Sequence, residues 1–356
     1  MRAAILDKPG KVRIHNRAHE GLGPEDVGIK VAYAGVCGSD IHMYGGTNKM
    51  VKLPQHPGHE FAGIVIARGK DVQIGLGQLV AVEPTIGCMK CEHCEDDRRN
   101  NCEEFKVIGC ATKYGGFAEY IPVPEYTVLP VDIGVKLAPL IEPASIGVHA
   151  SRIGGINKDY RGRVFVQGAG TIGLMAMAAV KYLTNGNVKV IASDVIPARA
   201  EFAKKLRFAD HIFMPQHKNS EEFPGQALID QLGTLYDDGF DIVIDAACED
   251  DTLETAIHLA KKQTGVVVDL NITDTPRHMI HNVVREVKVR GSRVCNKDDF
   301  EVAYKMMKET TLSNLLHEDL GETKAVHIFN SLDNLAEAYE AAKAREFLKC
   351  LVKINP

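Results

Sequence analysis

One stretch limits what this chain can fold into more than any other. The apolar run Val164-Phe165-Val166-Gln167 enters Gly168-Ala169-Gly170-Thr171-Ile172-Gly173, and residues 174–180 continue it with helical character. A second apolar run, residues 188–193, ends at Asp194, 21 residues after Gly173. A G-x-G-x-x-G between a strand and a helix is the pattern of a dinucleotide fold, whereas the same glycines without that context mark only a tight turn. Glycines let the backbone approach a pyrophosphate, and the helix start offers amide groups and the positive end of its dipole. Asp194 is placed to accept hydrogen bonds from both ribose hydroxyls of an adenosine and to repel a 2′-phosphate. NAD is therefore expected over NADP, a preference that the nearby Arg199 softens.

The β/α alternation continues. Helices are expected over residues 198–206 and 252–262, and strands over 211–214, 240–245 and 265–270. Near-continuous apolar strands separated by helices describe a parallel sheet covered on both faces. The polar stretch from Pro215 to Glu222 reads as a loop. The alternation stops near residue 285, which places a Rossmann domain at 151–285. Residues 286–356, with helices from Asp298 and Leu332, would return to the first domain.

That first domain, residues 1–150, is β-rich and glycine-rich. Short apolar or alternating runs at 3–6, 12–14, 27–33, 61–67, 79–82, 116–121 and 128–129 suit a partly open barrel. A chain of 356 residues is too long for one ordinary core, so two domains are expected. A formal charge of −5 argues against nucleic acid as the main partner. No apolar run reaches the roughly 18 residues of a membrane span, and the first residues do not read as a secretory signal. The expected compartment is the cytosol, where thiols stay reduced.

Nine cysteines then need an explanation other than disulfides. Cys88, Cys91, Cys94 and Cys102 form C-x2-C-x2-C-x7-C, gaps short enough to wrap four thiolates around one tetrahedral ion. Residues 95–101 contain nothing apolar, so a structural zinc would stand in for a core. An iron–sulfur cluster is the rival for sulfur ligands. Cys110, Cys248, Cys295 and Cys350 read as small buried residues. Cys37 stands apart, in Cys37-Gly38-Ser39-Asp40-Ile41-His42, followed by Gly58-His59-Glu60. A thiol, an imidazole and a carboxylate suit a zinc ion with an open position. The plainer reading is a buried cysteine and unrelated histidines. Glu142 lies in Leu140-Ile141-Glu142-Pro143-Ala144, where a carboxylate needs either solvent or a partner.

These motifs, taken together and in this order, resemble the zinc-dependent medium-chain dehydrogenases of the alcohol, sorbitol and threonine dehydrogenase family, over nearly the whole chain. The resemblance implies a GroES-like catalytic domain beside the Rossmann domain, making an α/β protein with two zinc ions and NAD. Cys37 and His59 match the catalytic zinc ligands, and Glu60 matches the acidic ligand of polyol-type members. Glu142 matches a glutamate held near the metal or its water, where alcohol dehydrogenases proper usually carry a third thiol. That difference favours a polyol, sugar acid or cyclitol as substrate, and Arg293 resembles a position used near it.

The implied chemistry is activation of a secondary alcohol by zinc, with hydride passing to nicotinamide. Ser39 would take the proton, and the family relay would carry it through the cofactor ribose to His42. Asp40 would orient His59. Threonine or simple secondary alcohols are the alternative substrates, and a non-catalytic zinc protein that binds NAD is the alternative of another class. By analogy a homotetramer is expected, with a dimer as the alternative. Three departures from the family stand out: Gly77-Gln78, Phe208-Ala209-Asp210 and Asp269-Leu270.

Overall fold

Val27, Ile29 and Val31 are all fully buried, and this alternation makes the long strand Asp26–Val36 the spine of one unit. The computed structural model describes residues 1–18, 21–48, 51–215, 225–249, 251–272, 280–320 and 323–355. It falls into two units, Met1–Glu142 with Asn296–Pro356, and Pro143–Cys295.

In the first unit the sheet order is Val326–Phe329, Lys349–Lys353, Asp26–Val36, Glu60–Arg68, Leu79–Val82, Val128–Pro130, with Tyr120–Pro124 also paired to the spine. Register places Gly35 opposite Glu60 on one side and opposite Leu351 on the other. The C-terminal residues therefore enter the same sheet as the Gly58-His59-Glu60 motif. The expected strand over 116–121 begins only at Tyr120. Before it the chain bonds irregularly, Gly116 to Gly58 and Phe117 to Pro57 through the backbone, so it braces the turn that carries His59.

The second unit is a six-stranded parallel sheet in the order His211–Phe213, Val190–Ser193, Val164–Gln167, Ile242–Asp245, Val266–Asp269, Lys288–Gly291. This is the doubly wound order, which reverses beside the first strand of the unit and opens a crevice at the carboxyl ends of the strands. The helix Thr171–Leu183 follows the glycine-rich turn, with eight consecutive buried residues from Gly173 to Val180.

The alternation does not end at residue 285 as expected. Lys288–Gly291 pairs in parallel with Val266–Asp269 and closes the sheet. It is an edge strand with only Val289 partly buried, so it lacks the apolar run by which a central strand is recognised. The upstream boundary differs too, at 142/143, because Ile141–Ile153 is one continuous helix across it. The helices Gln226–Gly233 and Ile280–Arg285 were not expected. Most of the loop expected from Pro215, residues 216–222, lies outside the described residues. No helix among the described residues is long and apolar enough to cross a membrane.

Asp245 and Asp269 end neighbouring strands of this sheet in matched register. Asp245 is fully buried and accepts hydrogen bonds from Thr252 Oγ1 at 2.7 Å and Ala247 N at 3.2 Å. Burial pushes its carboxyl up to about 6; the Thr252 hydrogen bond opposes this and the Asp269 carboxylate adds to it. The folded state thus keeps a proton between 3.8 and about 6 that the unfolded chain has released. Stability from this group is full below that window and lost as pH rises through it. An Asp245→Asn variant should match the wild type near pH 4 and exceed it above pH 6.5, by about 3 kcal/mol at most. Thermal midpoints measured across this range should diverge, and parallel curves would refute the assignment.

Candidate metal centres and nucleotide loop

The helix Gly38–Gly45 starts at the end of the spine strand, with Cys37 in extended conformation as its N-cap. Asp40 Oδ2 accepts the Cys37 amide at 2.9 Å and fixes the first turn. Oδ1 of Asp40 has no hydrogen-bond partner among the described residues and lies 4.0 Å from His59 Nδ1. With Nδ1 facing Asp40, His59 keeps Nε2 for a ligand role. Gly58 turns the chain into His59 at φ +103, a conformation open chiefly to glycine.

Ligand atoms of Cys37, His59 and Glu60 lie within 4.8 Å of one another. Burial alone would lower the His59 pKa. The thiols of Cys110 and Cys37 and the Asp40 carboxylate outweigh it and hold the imidazole well above its ordinary value. A thiol, an imidazole and a carboxylate this close together, with the Asp40 carboxylate and the Cys110 thiol beside the imidazole, make a donor set suited to a divalent cation. The residues therefore fit a zinc ion.

Glu142 is buried in the first turn of Ile141–Ile153. Its carboxyl is pushed up to about 7, by burial first and then by Glu60 and Asp40, against the pull of His59 and Lys349. Ser39 is half-buried, and His42 is exposed with Nδ1 2.9 Å from Thr47 Oγ1.

Two participants were not expected. Lys349 is buried and pairs with both carboxylate oxygens of Glu60. Cys110 Sγ approaches His59 Nδ1 at 3.8 Å. A signal for the first existed: a lone lysine inside Phe347-Leu348-Lys349-Cys350-Leu351-Val352 needs a buried partner. Cys110 carries no comparable signal, since no neighbour in its sequence is a metal donor.

The second centre gathers the sulfurs of Cys88, Cys91, Cys94 and Cys102 within 4.8 Å of one another. The Lys90 amide leads the groups that draw the Cys88 thiol down to about 7, whereas burial pushes the Cys94 thiol up to about 12. A four-thiolate tetrahedron fits zinc here as well. The lobe also has a polar core. Arg99 is fully buried, pairs with the buried Glu83 and with Asp97 at 3.2 Å, and lies 5.2 Å from the Tyr126 ring centroid. Glu83 and Tyr126 lie outside the lobe, so the pair ties the lobe to the sheet.

In the nucleotide loop the three glycines differ. A Cβ on Gly173 would lie 1.9 Å from the Gly168 carbonyl oxygen, and Gly168 itself holds φ +92. Both are demanded by the turn itself. A Cβ on Gly170 would meet only Arg199 Nη1, at 3.5 Å, so its bareness serves something outside the chain. Thr171 and Ile172 open the helix beyond it. Asp194 accepts the Ala169 amide at 2.6 Å and the Ile196 amide at 2.7 Å, which locks its carboxylate beside the loop. Arg293 is exposed, and Val294 after it adopts φ +55, a rare conformation for a β-branched residue.

Comparison with known proteins agrees with this assembly of parts. The family model described as alcohol dehydrogenase GroES-like domain matches residues 23–133, and that described as zinc-binding dehydrogenase matches 171–309. L-Galactonate-5-dehydrogenase of Escherichia coli strain K12 is 30% identical over 363 residues, covering 99% of this chain and 98% of the relative. The chain belongs to the zinc-binding dehydrogenases. Sorbitol dehydrogenase of Bacillus subtilis strain 168 is 33% identical over 264 residues, covering 72% and 71% of the two chains. Among solved structures, a short chain alcohol dehydrogenase from Escherichia coli CFT073 complexed with NADH superposes with a TM-score of 0.82 at 27% identity, covering 99% of both chains.

Two outcomes test the site of this dehydrogenase. Glu83→Ala takes the buried partner from Arg99 and leaves it the exposed Asp97; it should lower stability by about 3 kcal/mol while zinc per chain is unchanged, and zinc loss in step with unfolding would contradict a separate tether. Gly170→Ala should fold normally but weaken NAD binding about tenfold or more, whereas Gly173→Ala should destabilise the nucleotide unit. Titration calorimetry with NAD and melting curves separate the two, and equal effects would refute the distinction.

Proposed function

We propose that this dehydrogenase oxidises a secondary alcohol of a polyol, sugar acid or cyclitol to the ketone, with NAD as hydride acceptor. The observation that carries the reading is the donor set. Cys37, His59 and Glu60 form the cluster of ligand atoms, and the buried Glu142 carboxyl lies within electrostatic reach of His59 and Glu60, at the place where the resemblance would put a third thiol in an alcohol dehydrogenase proper. The names of the relatives, a galactonate and a sorbitol dehydrogenase, support it.

Zinc held by Cys37, His59 and Glu60 would supply a Lewis acid for the alcohol, and NAD would supply the hydride acceptor. The other roles fall to the chain. Asp40 orients His59 through Nδ1 and keeps Nε2 available. Glu142 orients the bound hydroxyl. Ser39 accepts its proton, and the exposed His42, steadied by Thr47, passes it to solvent. Gly168, Gly170, Thr171, Ile172 and Gly173 receive the pyrophosphate, Asp194 the ribose hydroxyls, and Arg199 lies over Gly170. Arg293 is the substrate contact that the resemblance implies. Cys88, Cys91, Cys94 and Cys102 hold the structural zinc. The enzyme is read as cytoplasmic and as a homotetramer, with a small-molecule substrate as its partner.

NADH formation from a panel of polyols, sugar acids and cyclitols tests the reading, with threonine and simple alcohols as comparators. Turnover should be highest on a polyhydroxylated substrate and vanish with chelator. Faster oxidation of threonine or 2-propanol would overturn it. Cys37→Ser should abolish turnover and leave one zinc per chain with the fold intact. Cys91→Ser should lower the melting temperature by on the order of 10 °C. Equal unfolding by both variants would show that the two centres have been given the wrong roles.

A further inference from the structure

The nucleotide unit has a cavity that the dehydrogenase reading leaves unused. It spans about 610 Å3, within the range of small-molecule sites. Phe240 and Thr264, which line it, come just before the parallel strands Ile242–Asp245 and Val266–Asp269. The cavity therefore lies at the amino ends of these strands. The glycine-rich turn follows the carboxyl end of Val164–Gln167 in the same parallel sheet, so the two places are at opposite ends of it.

Part of the lining is apolar. Leu232, Phe240 and Leu259 are buried, and the Tyr236 ring centroid lies 5.0 Å from that of Phe240 at a tilt of 41°. The rest carries charge, and one charge lacks an answer. Arg285 is half-buried and has no acidic partner among the described residues. Its Nε donates to the Ile257 carbonyl at 3.0 Å, and its Nη2 donates to the His258 and Ala260 carbonyls at 2.8 Å each. These bonds close the C-terminus of the helix Thr252–Leu259, whose partial negative charge offsets only part of a full positive one. A helix cap accounts for Nε and Nη2 and leaves Nη1, which makes no hydrogen bond among the described residues. Burial holds the guanidinium below its ordinary pKa, as expected of a cation short of counter-charge.

The neighbouring charges mostly pair off. Lys261 Nζ donates to Asp241 at 2.8 Å, and Asp238 lies 3.6 Å from Arg163 Nη2. Among the Asp, Lys and Arg side chains of the lining, Arg285 and the exposed Lys262 are then left against the exposed Asp237. The surplus is one positive charge. A monoanion balances it, whereas a phosphate dianion would reverse it.

We propose that this cavity binds an aromatic monocarboxylic acid, with its carboxylate on Arg285 Nη1 and Lys262 and its ring beside Tyr236 and Phe240. A guanidinium edge matches a carboxylate in geometry as well as charge. Aromatic rings favour offset or tilted partners at the spacing that Tyr236 and Phe240 already show. The inference goes beyond the dehydrogenase reading and uses none of its residues. The acid binds without reaction: no bond forms or breaks.

The probe is phenylacetate, titrated by calorimetry into the purified full-length protein. It should bind with a Kd below about 1 mM. Phenylacetamide, which lacks the charge, and acetate, which lacks the ring, should bind at least about tenfold more weakly. Saturating NAD should leave the phenylacetate constant within about twofold, because the two sites lie at opposite ends of the sheet. Competition with NAD would place the acid in the nucleotide crevice and overturn the inference.

Lys262→Glu alters an exposed residue and should weaken phenylacetate binding about fivefold or more, with NAD affinity and turnover unchanged. Gly233→Phe is the second variant. Gly233 lines the cavity, and a Cβ there meets nothing within 4 Å, so the ring has room to enter without disturbing the bonds of Arg285. Phenylacetate binding should be lost in it while the melting temperature holds. Equal binding of phenylacetate and its amide, affinity that neither variant changes, or no binding of phenylacetate would each show Arg285 to be a helix cap alone. Any of these would overturn the inference and leave the dehydrogenase reading standing.

Discussion

A buried carboxylate must be met by positive charge, and much of the first unit is arranged around meeting one. Glu60 is fully buried at the end of a sheet strand. Its neighbours on adjacent strands are Gly35, which has no side chain, and beyond it Lys349, which does the neutralising. The C-terminal residues have to return to the spine strand to deliver that lysine. The return requires the parallel pair Val326–Phe329 and Lys349–Lys353, linked through the helix Leu335–Lys343. Sheet topology and site chemistry are the same constraint seen at two scales.

The four-cysteine lobe solves a different problem. A loop without apolar residues cannot bury enough surface to order itself. The cluster of thiols explains its internal shape but not its attachment. Attachment falls to Arg99, whose guanidinium is buried against Glu83 and near Tyr126. Removing a guanidinium from water is tolerable only with an ionic partner and further contacts, and Arg99 has both kinds.

Much of this was legible in the sequence, for identifiable reasons. The Rossmann core reads clearly because its central strands are unbroken apolar runs and its first turn has glycines at fixed spacing. The metal donors read clearly because they cluster within short stretches of chain. What escaped notice follows other rules. Lys288–Gly291 is an edge strand whose polar residues face outward, so it carries no apolar signature. Lys349 is 289 residues from Glu60, and no local spacing links them. Residues 95–101 visibly lack an apolar core, but nothing in their spacing marks Arg99 as the source of a polar one, because its partner Glu83 lies outside the lobe. Of the three departures from the family pattern, Gln78 closes a turn through its side-chain oxygen, which accepts the Gly75 amide, and Phe208, where the family commonly has glycine, is buried in the core, while Asp210 beside it keeps the family's acid and anchors Val190 and Lys181. Asp269 has a chemical consequence, since it raises the pKa of Asp245.

The two units have opposite electrostatic preferences. In the first, the thiols of Cys110 and Cys37 and the Asp40 carboxylate hold the His59 imidazole above its ordinary value, with Glu60 and Glu142 close by, which marks a place for a cation. In the second, Gly170 leaves the start of a helix bare, and the proposed pyrophosphate would meet the amides of its first turn there. Asp194 sits beside that loop with both carboxylate oxygens tied to amides, so it stays an acceptor without drifting toward the phosphate position. A metal that withdraws electrons from a hydroxyl and a dinucleotide that accepts a hydride need these two environments, and each environment fails if built for the other charge. Lys349 is the exception within the first unit. Its charge answers the carboxylate of Glu60, which the sheet buries completely at the start of Glu60–Arg68, so the ion pair belongs to the sheet as much as to the site.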